Sequence, residues 1–444
     1  MTTTTTTTTT TTKGVVDSIR VLDGKVELEG TSDMFVSYLV TATTTGPTTD
    51  SLFTSRQPSS RRRYQDFVFL RTALVKDFQA CVVPPLPDKH RMEYVVGDRF
   101  SPEFIERRRI DLSRFLTRLS KHPKLSRTSL FQNFLESTEW NVYKHKHQAQ
   151  SSHSSTLSSS GASTSSTDDA SSSSHHGGGG GGILDNLSDT LLNAFTKLKK
   201  PDPRFTSIRH SLDSFEEGIT SIERSSTRSK ARLIDLSNDY GDLSSSVQGL
   251  GFLESGITEP LMRFERSLND FSNDLRTNSN EGGQEFVEHL HALLGYSQSF
   301  KGVLKLRDQK QLDFEELSTY LSNVVLERDR LVGGYGYGMG LTSYFKEKLE
   351  GLKGGETDLS KAARLKRLDE KIKELQEAVL ASQHTSAAFN QAVLEEHETF
   401  NEIKRWEMKK LLGEYAQGQI EFQKRVLSSW DKTIPFIKRI HVEP

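Results

Sequence analysis

A chain of 444 residues is too long for one small module, and by size alone two or three domains are expected. Its 58 lysines and arginines meet 59 aspartates and glutamates, for a formal charge of −1, which excludes a general polyanion binder and leaves charge to act locally. The single cysteine, Cys81, excludes an internal disulfide and, followed by Val82 and Val83, reads as a small buried hydrophobe.

The first segment, residues 1–14, contains the run Thr2 through Thr12, with neither the basic start nor the apolar core of a signal peptide, and is expected to be a disordered tail. No stretch of the chain approaches the roughly 18 apolar residues of a membrane-spanning helix, so a cytosolic protein with only peripheral membrane attachment is expected.

Residues 15–140 read as a first domain. Two strand-like runs flank Thr41 to Ser60, a stretch rich in Thr, Ser, Gly and Pro that reads as a lengthened hairpin loop. Arg61-Arg62-Arg63-Tyr64-Gln65-Asp66-Phe67 then places three guanidinium groups beside an aromatic ring just before a helix-like run. Arginine offers a planar fork that takes two phosphate oxygens at once, whereas lysine is a mobile point charge suited to a second phosphate. Pro84-Pro85-Leu86-Pro87-Asp88-Lys89 is a stiff loop ending in a cation, and Phe104-Ile105-Glu106-Arg107-Arg108-Arg109-Ile110 adds more arginine. Taken singly, Arg61 to Arg63 read equally well as a solvated run, and Arg107 to Arg109 as helix surface of which only the middle residue need face inward. Residues 1–140 carry 20 Lys and Arg against 16 Asp and Glu, a local charge of +4 that suits a defined phosphate ligand better than a nucleic-acid track.

Order and spacing together make this region resemble the PX (phox homology) domain, from about Val15 to Thr138. The resemblance implies a three-stranded antiparallel sheet with a helical subdomain that recognises phosphatidylinositol 3-phosphate. It implies that Arg63 binds the 3-phosphate, Tyr64 packs under the inositol ring, Lys89 contacts the 1-phosphate and Arg108 reads the 4- and 5-hydroxyls.

Residues 141–182 follow. From about His145 the composition is Ser, Thr, His and Gly, with almost nothing apolar to bury, and a disordered linker is expected. Its His175 and His176 make a poor metal site, and no metal or cofactor is expected. Residues 183–201 carry Leu184, Leu187, Leu191, Phe195 and Leu198 at helical spacing, with Lys197, Lys199 and Lys200 near the end and Pro201 as a stop. This amphipathic helix either packs on the next domain or lies in a membrane interface, and both readings stay open.

Residues 202–444 are expected to be all-α. Ile208, Leu212, Phe215, Ile219, Ile222, Ser226, Ser229, Leu233, Leu236, Tyr240, Leu243, Val247 and Leu250 hold an alternating 4,3 spacing, the mark of a long helix buried along one seam. Ile257, Leu261, Phe264, Leu268, Phe271 and Leu275 resume the register after Gly249, Gly251 and Pro260, which reads as a kink in the same rod. A second rod spans about Gln284 to Val332 and a third about Leu359 to Trp430. The glycine- and tyrosine-rich turn Gly333 to Gly340 lacks the Lys-Ser or Lys-Thr of a phosphate-binding loop. Glu395-Glu396-His397-Glu398 reads as a solvated face, and no enzyme is expected.

A PX domain followed by three long helices resembles the sorting nexins that carry a BAR domain, a crescent dimer of three-helix coiled coils. Gly302 to Leu317 looks most like the fungal sorting nexin-4 branch. The resemblance implies a homodimer or a heterodimer with a related sorting nexin, no nucleic acid, and a place on endosomal and preautophagosomal membranes in endosome-to-Golgi recycling and selective autophagy. It also implies a basic concave face, for which Lys301, Lys305, Arg307, Lys310, Arg364, Lys366, Arg367, Lys371 and Lys373 are candidates. The rival reading is a coiled-coil adaptor or tether whose PX domain mainly binds protein.

Overall fold

The computed structural model describes residues 16–29, 31, 34–44, 57–87, 100–157, 201–253, 256–280, 282–332 and 358–438. The chain divides into two units, one of residues 1–164, 207–301 and 397–444 and the other of residues 165–206 and 302–396.

In the first unit, strands β1 (Ser18–Glu27), β2 (Phe35–Thr43) and β3 (Ser59–Arg63) form an antiparallel sheet in the order β1-β2-β3. Ile19 and Val21 on β1 and Tyr38, Val40 and Ala42 on β2 supply its buried face. The β1–β2 register shifts between Leu22 and Gly24, and the intervening Asp23 takes a positive φ of 31°. Gly24 is required there, because a Cβ at this position would collide with Ile105 of the helix that covers the sheet. β2 and β3 are paired from Thr41 opposite Ser59, so the lengthened connection is 44–58, of which 45–56 lie outside the described residues.

Helix α1 (Tyr64–Asp77) begins directly from β3, with the Asp66 carboxylate accepting the backbone N–H of Arg63 at 2.9 Å. Helix α2 (Pro102–Lys121) starts at a Ser101 cap with Pro102 in its first turn, and a 3₁₀ turn (Leu125–Arg127) leads to α3 (Ser129–Glu136), capped by Thr128. Phe67 lies edge-on to Phe115 and Phe134, with Leu70, Leu74, Leu112, Leu116 and Phe131 completing the core. The expected three-stranded sheet and helical subdomain are both present.

The linker expectation is corrected over its first part. Helix α4 (Trp140–Leu157) continues where disorder was expected from residue 141. Trp140 is buried against Phe134 and Phe69, and Tyr143 stacks on Trp140, so two aromatic residues a turn apart seat a helix whose later composition is linker-like. Residues 158–200, including the rest of the linker and the Leu184 to Leu198 helix, lie outside the described residues, as does the Gly333 to Gly340 turn.

The rods are α5 (Pro203–Leu253), α6 (Thr258–Asn280), α7 (Gly282–Val332) and α8 (Asp358–Ile437). The expected kink at 249–260 is instead a reversal. Ser237 bonds to Ser272 and Ser244 to Glu265, so numbers fall on α6 as they rise on α5. A connection of a few residues between two helices makes them antiparallel neighbours, and the glycines at 249, 251 and 256 concentrate where the chain turns. The α6 helix therefore runs in sequence with α7, and both run antiparallel to α8, through Asp274 with Arg425 and Asn278 with Gln419 in this unit.

The 4,3 stripe of α5 splits in two. Ser226, Leu233, Tyr240 and Val247 are at least half-buried within the chain, beside the fully buried Ser237 and Ser244. Ile222, Ser229, Leu236, Leu243 and Leu250, each seven residues from the next, are exposed. Helix α8 carries a parallel feature in exposed Ile420, Leu427 and Ile434, again at sevens.

In the second unit, α7 and α8 are antiparallel through Arg307 with Asn390, Gln311 with Ser386 and Arg328 with Asp369. Arg307 is buried there over the Phe205 ring and beside Asp308.

One buried charge network joins α2 to the rods inside the first unit. Arg118 donates from Nε and Nη2 to the two carboxylate oxygens of Glu407, at 2.9 and 2.7 Å, and from Nη1 to the carbonyl of Ala292 at 3.0 Å. His289 Nε2 lies 2.7 Å from Glu407 Oε1, and the Arg118 guanidinium covers the Tyr296 ring. Burial alone would raise the Glu407 carboxyl, but Arg118 and His289 outweigh it and hold it at about 2. The cleft beside this network, about 240 Å³, is lined by Arg114, Trp406 and Lys410 among others.

Since the folded value is depressed from 4.5, this carboxylate contributes its stability above about pH 4.5 and loses it as pH falls toward 2. Glu407→Gln is expected to cost roughly 3 kcal/mol at neutral pH, by leaving Arg118 buried and unpaired, and to flatten the acid limb of the stability curve. Urea titrations of both proteins across that pH range check this; an unchanged acid slope contradicts it.

Candidate phosphate-binding site

The three arginines of β3 separate by strand alternation. Arg62 points into the domain, where its Nε and Nη2 donate to the carbonyls of Phe134, at 2.8 Å, and Ser137, at 2.6 Å. Those carbonyls close the C-terminal end of α3, and the guanidinium also covers the Phe134 and Trp140 rings. Burial pushes its ionisation down to about 10, against the pull of Asp66. Arg61 and Arg63 face the other way. Arg61 is neutralised by Asp23 at 2.7 Å and held by Ser37 Oγ. Arg63 is exposed, lies over the Phe35 ring and has no ion pair among the described residues.

The second cluster also divides its roles. Arg109 forms a fork with Glu106 and donates to the Val21 carbonyl at 2.6 Å, which fixes α2 on the sheet. Arg108 lies between two rings, with its guanidinium 4.4 Å from the centre of Tyr64 and 4.2 Å from that of Phe104. Its Nε is buried without a hydrogen-bond partner. Tyr64 is fixed at its far end by donating from its hydroxyl to the carbonyl of Pro87 at 3.0 Å, and Arg71 Nε donates to that of Pro84. The proline loop is thereby tied to α1 up to Pro87, and Lys89 lies outside the described residues.

Arg63, the residue before Tyr64, thus lies over the Phe35 ring, while Arg108 packs on the Tyr64 ring. Tyr38 lies beneath them, its hydroxyl buried without a partner and pushed up to about 12 by burial. Sequence reasoning missed Tyr38, Phe35 and Phe104. The first two are inconspicuous aromatic positions on a strand, and the third opens the quoted helix motif, where its spacing of four before Arg108 was the available signal. Chemically, the arrangement offers one solvent-facing guanidinium, one ring-bound guanidinium and a fixed aromatic face, which suits a phosphorylated cyclic polyol.

Among the rod candidates for a basic face, several are engaged elsewhere, and Lys310 lies over the Phe389 ring. Lys301 lies 2.6 Å from both Asp213 and Glu216, and Arg307 is buried as described. Arg364 pairs with Glu327 and Lys371 lies over the Tyr320 ring. Lys305, Lys366, Arg367 and Lys373 form no ion pair among the described residues.

The division of labour in β3 has a measurable consequence. Arg62→Ala is expected to destabilise the fold by roughly 2–4 kcal/mol, through unpaired helix-end carbonyls and a lost ring contact, while Arg63→Ala stays within about 0.5 kcal/mol of the parent. Equal thermal midpoints for the two variants would contradict the assignment.

Comparison with known proteins bears on the family and the fold. A family model of the PX domain matches residues 50–138. Sorting nexin-4 of Cryptococcus neoformans is 46% identical over 431 residues, covering 96% of this chain and 81% of that protein. Sorting nexin-4 of Gibberella zeae is 39% identical over 411 residues, covering 92% of this chain and 83% of that protein. Among solved structures, the SNX-BAR Mvp1 tetramer matches in fold at 21% identity with a TM-score of 0.57, covering 94% of this chain and 99% of that one. With a PX domain, antiparallel rods of the BAR type and this identity over nearly all its length, the chain belongs to the fungal sorting nexin-4 branch of the PX-BAR sorting nexins.

Proposed function

We propose that this chain binds phosphatidylinositol 3-phosphate in membranes, with Arg63 on the 3-phosphate, Tyr64 under the inositol ring, Arg108 on the ring hydroxyls and Lys89 on the 1-phosphate. The observation that carries this reading is the pairing of an exposed Arg63, with no ion pair among the described residues, with an Arg108 held on the adjacent Tyr64 ring. Two guanidinium groups that form no ion pair among the described residues, beside an aromatic face, favour a phosphorylated sugar-like ligand over a purely structural role. Family membership supports a membrane-associated sorting role. On this reading the chain acts without catalysis at endosomal membranes, in endosome-to-Golgi recycling and selective autophagy. Among the described residues no helix is long and apolar enough to cross a membrane.

The second part of the proposal is a paired rod. Exposed heptad positions on α5 and α8 leave apolar surface on a single chain that a second copy, or a related sorting nexin, covers. Pairing two pockets on one body multiplies weak headgroup binding without new contacts. The Leu184 to Leu198 segment, by its pattern, adds apolar area and lysine charge once the pocket has docked.

Flotation with liposomes containing phosphatidylinositol 3-phosphate tests the pocket. Arg63→Ala is expected to lose about 2–5 kcal/mol of headgroup binding while keeping its thermal midpoint. Undiminished flotation sinks the lipid reading, and co-sedimentation with protein alone would instead favour the adaptor. Light scattering on the full chain tests the rods: Leu236 and Leu243 changed to Glu are expected to reduce a dimer to a monomer, and a parent chain monomeric at micromolar concentration contradicts self-pairing.

A further inference from the structure

Asp66 receives three hydrogen bonds, one from the end of β3 and two from α4. Its Oδ2 accepts the backbone N–H of Arg63 at 2.9 Å, and its Oδ1 accepts Trp140 Nε1 at 3.0 Å and Lys144 Nζ at 2.7 Å. The carboxylate is buried, and the lysine that reaches it comes from α4, the helix by which the chain leaves the domain. The seating of α4 is one-sided: Trp140, Tyr143, Lys144 and His147 face the domain, while Asn141, Val142, His145 and Lys146 are exposed. His147 completes the contact at Phe69 and, 3.1 Å away, Asp77.

A buried carboxylate directly behind the backbone of Arg63 has two effects on an anion bound there. It fixes the N-terminal turn of α1, and it repels a phosphate unless its charge is neutralised. Lys144 supplies a cation at salt-bridge distance, and the Asp66 charge also acts on buried Arg62. Removing Lys144 therefore loosens the helix that carries it and leaves Arg62 as the remaining cation beside Asp66, so that a bound anion meets a less compensated negative charge.

We propose that α4 is a latch on the phosphate site: the seating of Lys144 and Trp140 on Asp66 and the occupancy of Arg63 stabilise one another. Asp66, Trp140 and Lys144 are positioning residues, acting on the ligand only through Arg63. This rests on the reading of Arg63 as the phosphate ligand. Coupling between two sites is reciprocal, so it has two readouts.

Calorimetry of the full chain with a soluble short-chain phosphatidylinositol 3-phosphate gives the first. Lys144→Gln, measured below its lowered thermal midpoint, is expected to weaken binding about 5- to 10-fold, the low end of such couplings, and Lys144→Arg to restore both affinity and midpoint. Hydrogen exchange on the unmodified chain gives the second: the lipid slows exchange in 140–157, and Arg63→Ala abolishes that slowing. Parent-like affinity in Lys144→Gln, or exchange in α4 unaffected by a lipid that binds, overturns the latch while leaving the site intact. A parent chain that does not bind the lipid overturns the site reading and the latch with it. If Lys144→Gln does not fold, the exchange arm decides alone.

Discussion

The inward turn of Arg62 is the interaction on which the start of α1, and with it the proposed site, depends. A strand exposes alternate residues, so burying one guanidinium fixes its two neighbours on the outer face. Burial of such a group is costly unless every donor is used, and here the carbonyls at the end of α3 and two aromatic rings receive it. The same placement brings α3 and Trp140 against the start of α1, where Asp66 collects its donors. Arg63 thus leaves the sheet at a point fixed by Asp66 and, through it, by α4, the preorganisation that the proposed anion site requires.

The rods use polarity in a different way. Ser237 and Ser272 each donate to the backbone carbonyl of the other, and Ser244 donates to that of Glu265, so α5 and α6 meet through small polar side chains with their own fixed partners. Such a seam specifies register and direction more than it adds stability, because each hydrogen bond replaces one to water. Stability along the rods comes from the aromatic stretch of Phe286, Tyr296, Phe300 and Phe400, and orientation of α2 upon them from Arg118 and Glu407. The apolar heptads left on the outside of α5 and α8 are what a single chain cannot cover with its own surface.

Much of this was legible in the sequence. The sheet and the helical subdomain followed from motif order, and the contact of Arg108 with the Tyr64 ring fits the same pattern, while the grouping of Arg63, Tyr64 and Arg108 into one phosphate site is the proposal made above. The alternation that buries Arg62 is also a sequence property, yet its partners are backbone carbonyls, which no residue pattern marks. Heptad periodicity identifies the buried face of a helix but carries no chain direction, which is why the reversal at 253–258 read as a kink. The first turns of α4 were hidden because the Ser- and His-rich residues beyond them dominated the composition, although Trp140 and Tyr143 were visible. Arg118 and Glu407 are 289 positions apart and belong to no local pattern.

The most direct test of the central claim is the structure of the full chain with a soluble short-chain phosphatidylinositol 3-phosphate bound. The account predicts the 3-phosphate within hydrogen-bonding distance of the Arg63 guanidinium and the inositol ring against Tyr64, with Arg62 still turned to the end of α3. A headgroup that leaves Arg63 untouched, or that draws Arg62 out of the domain to reach it, would contradict the account.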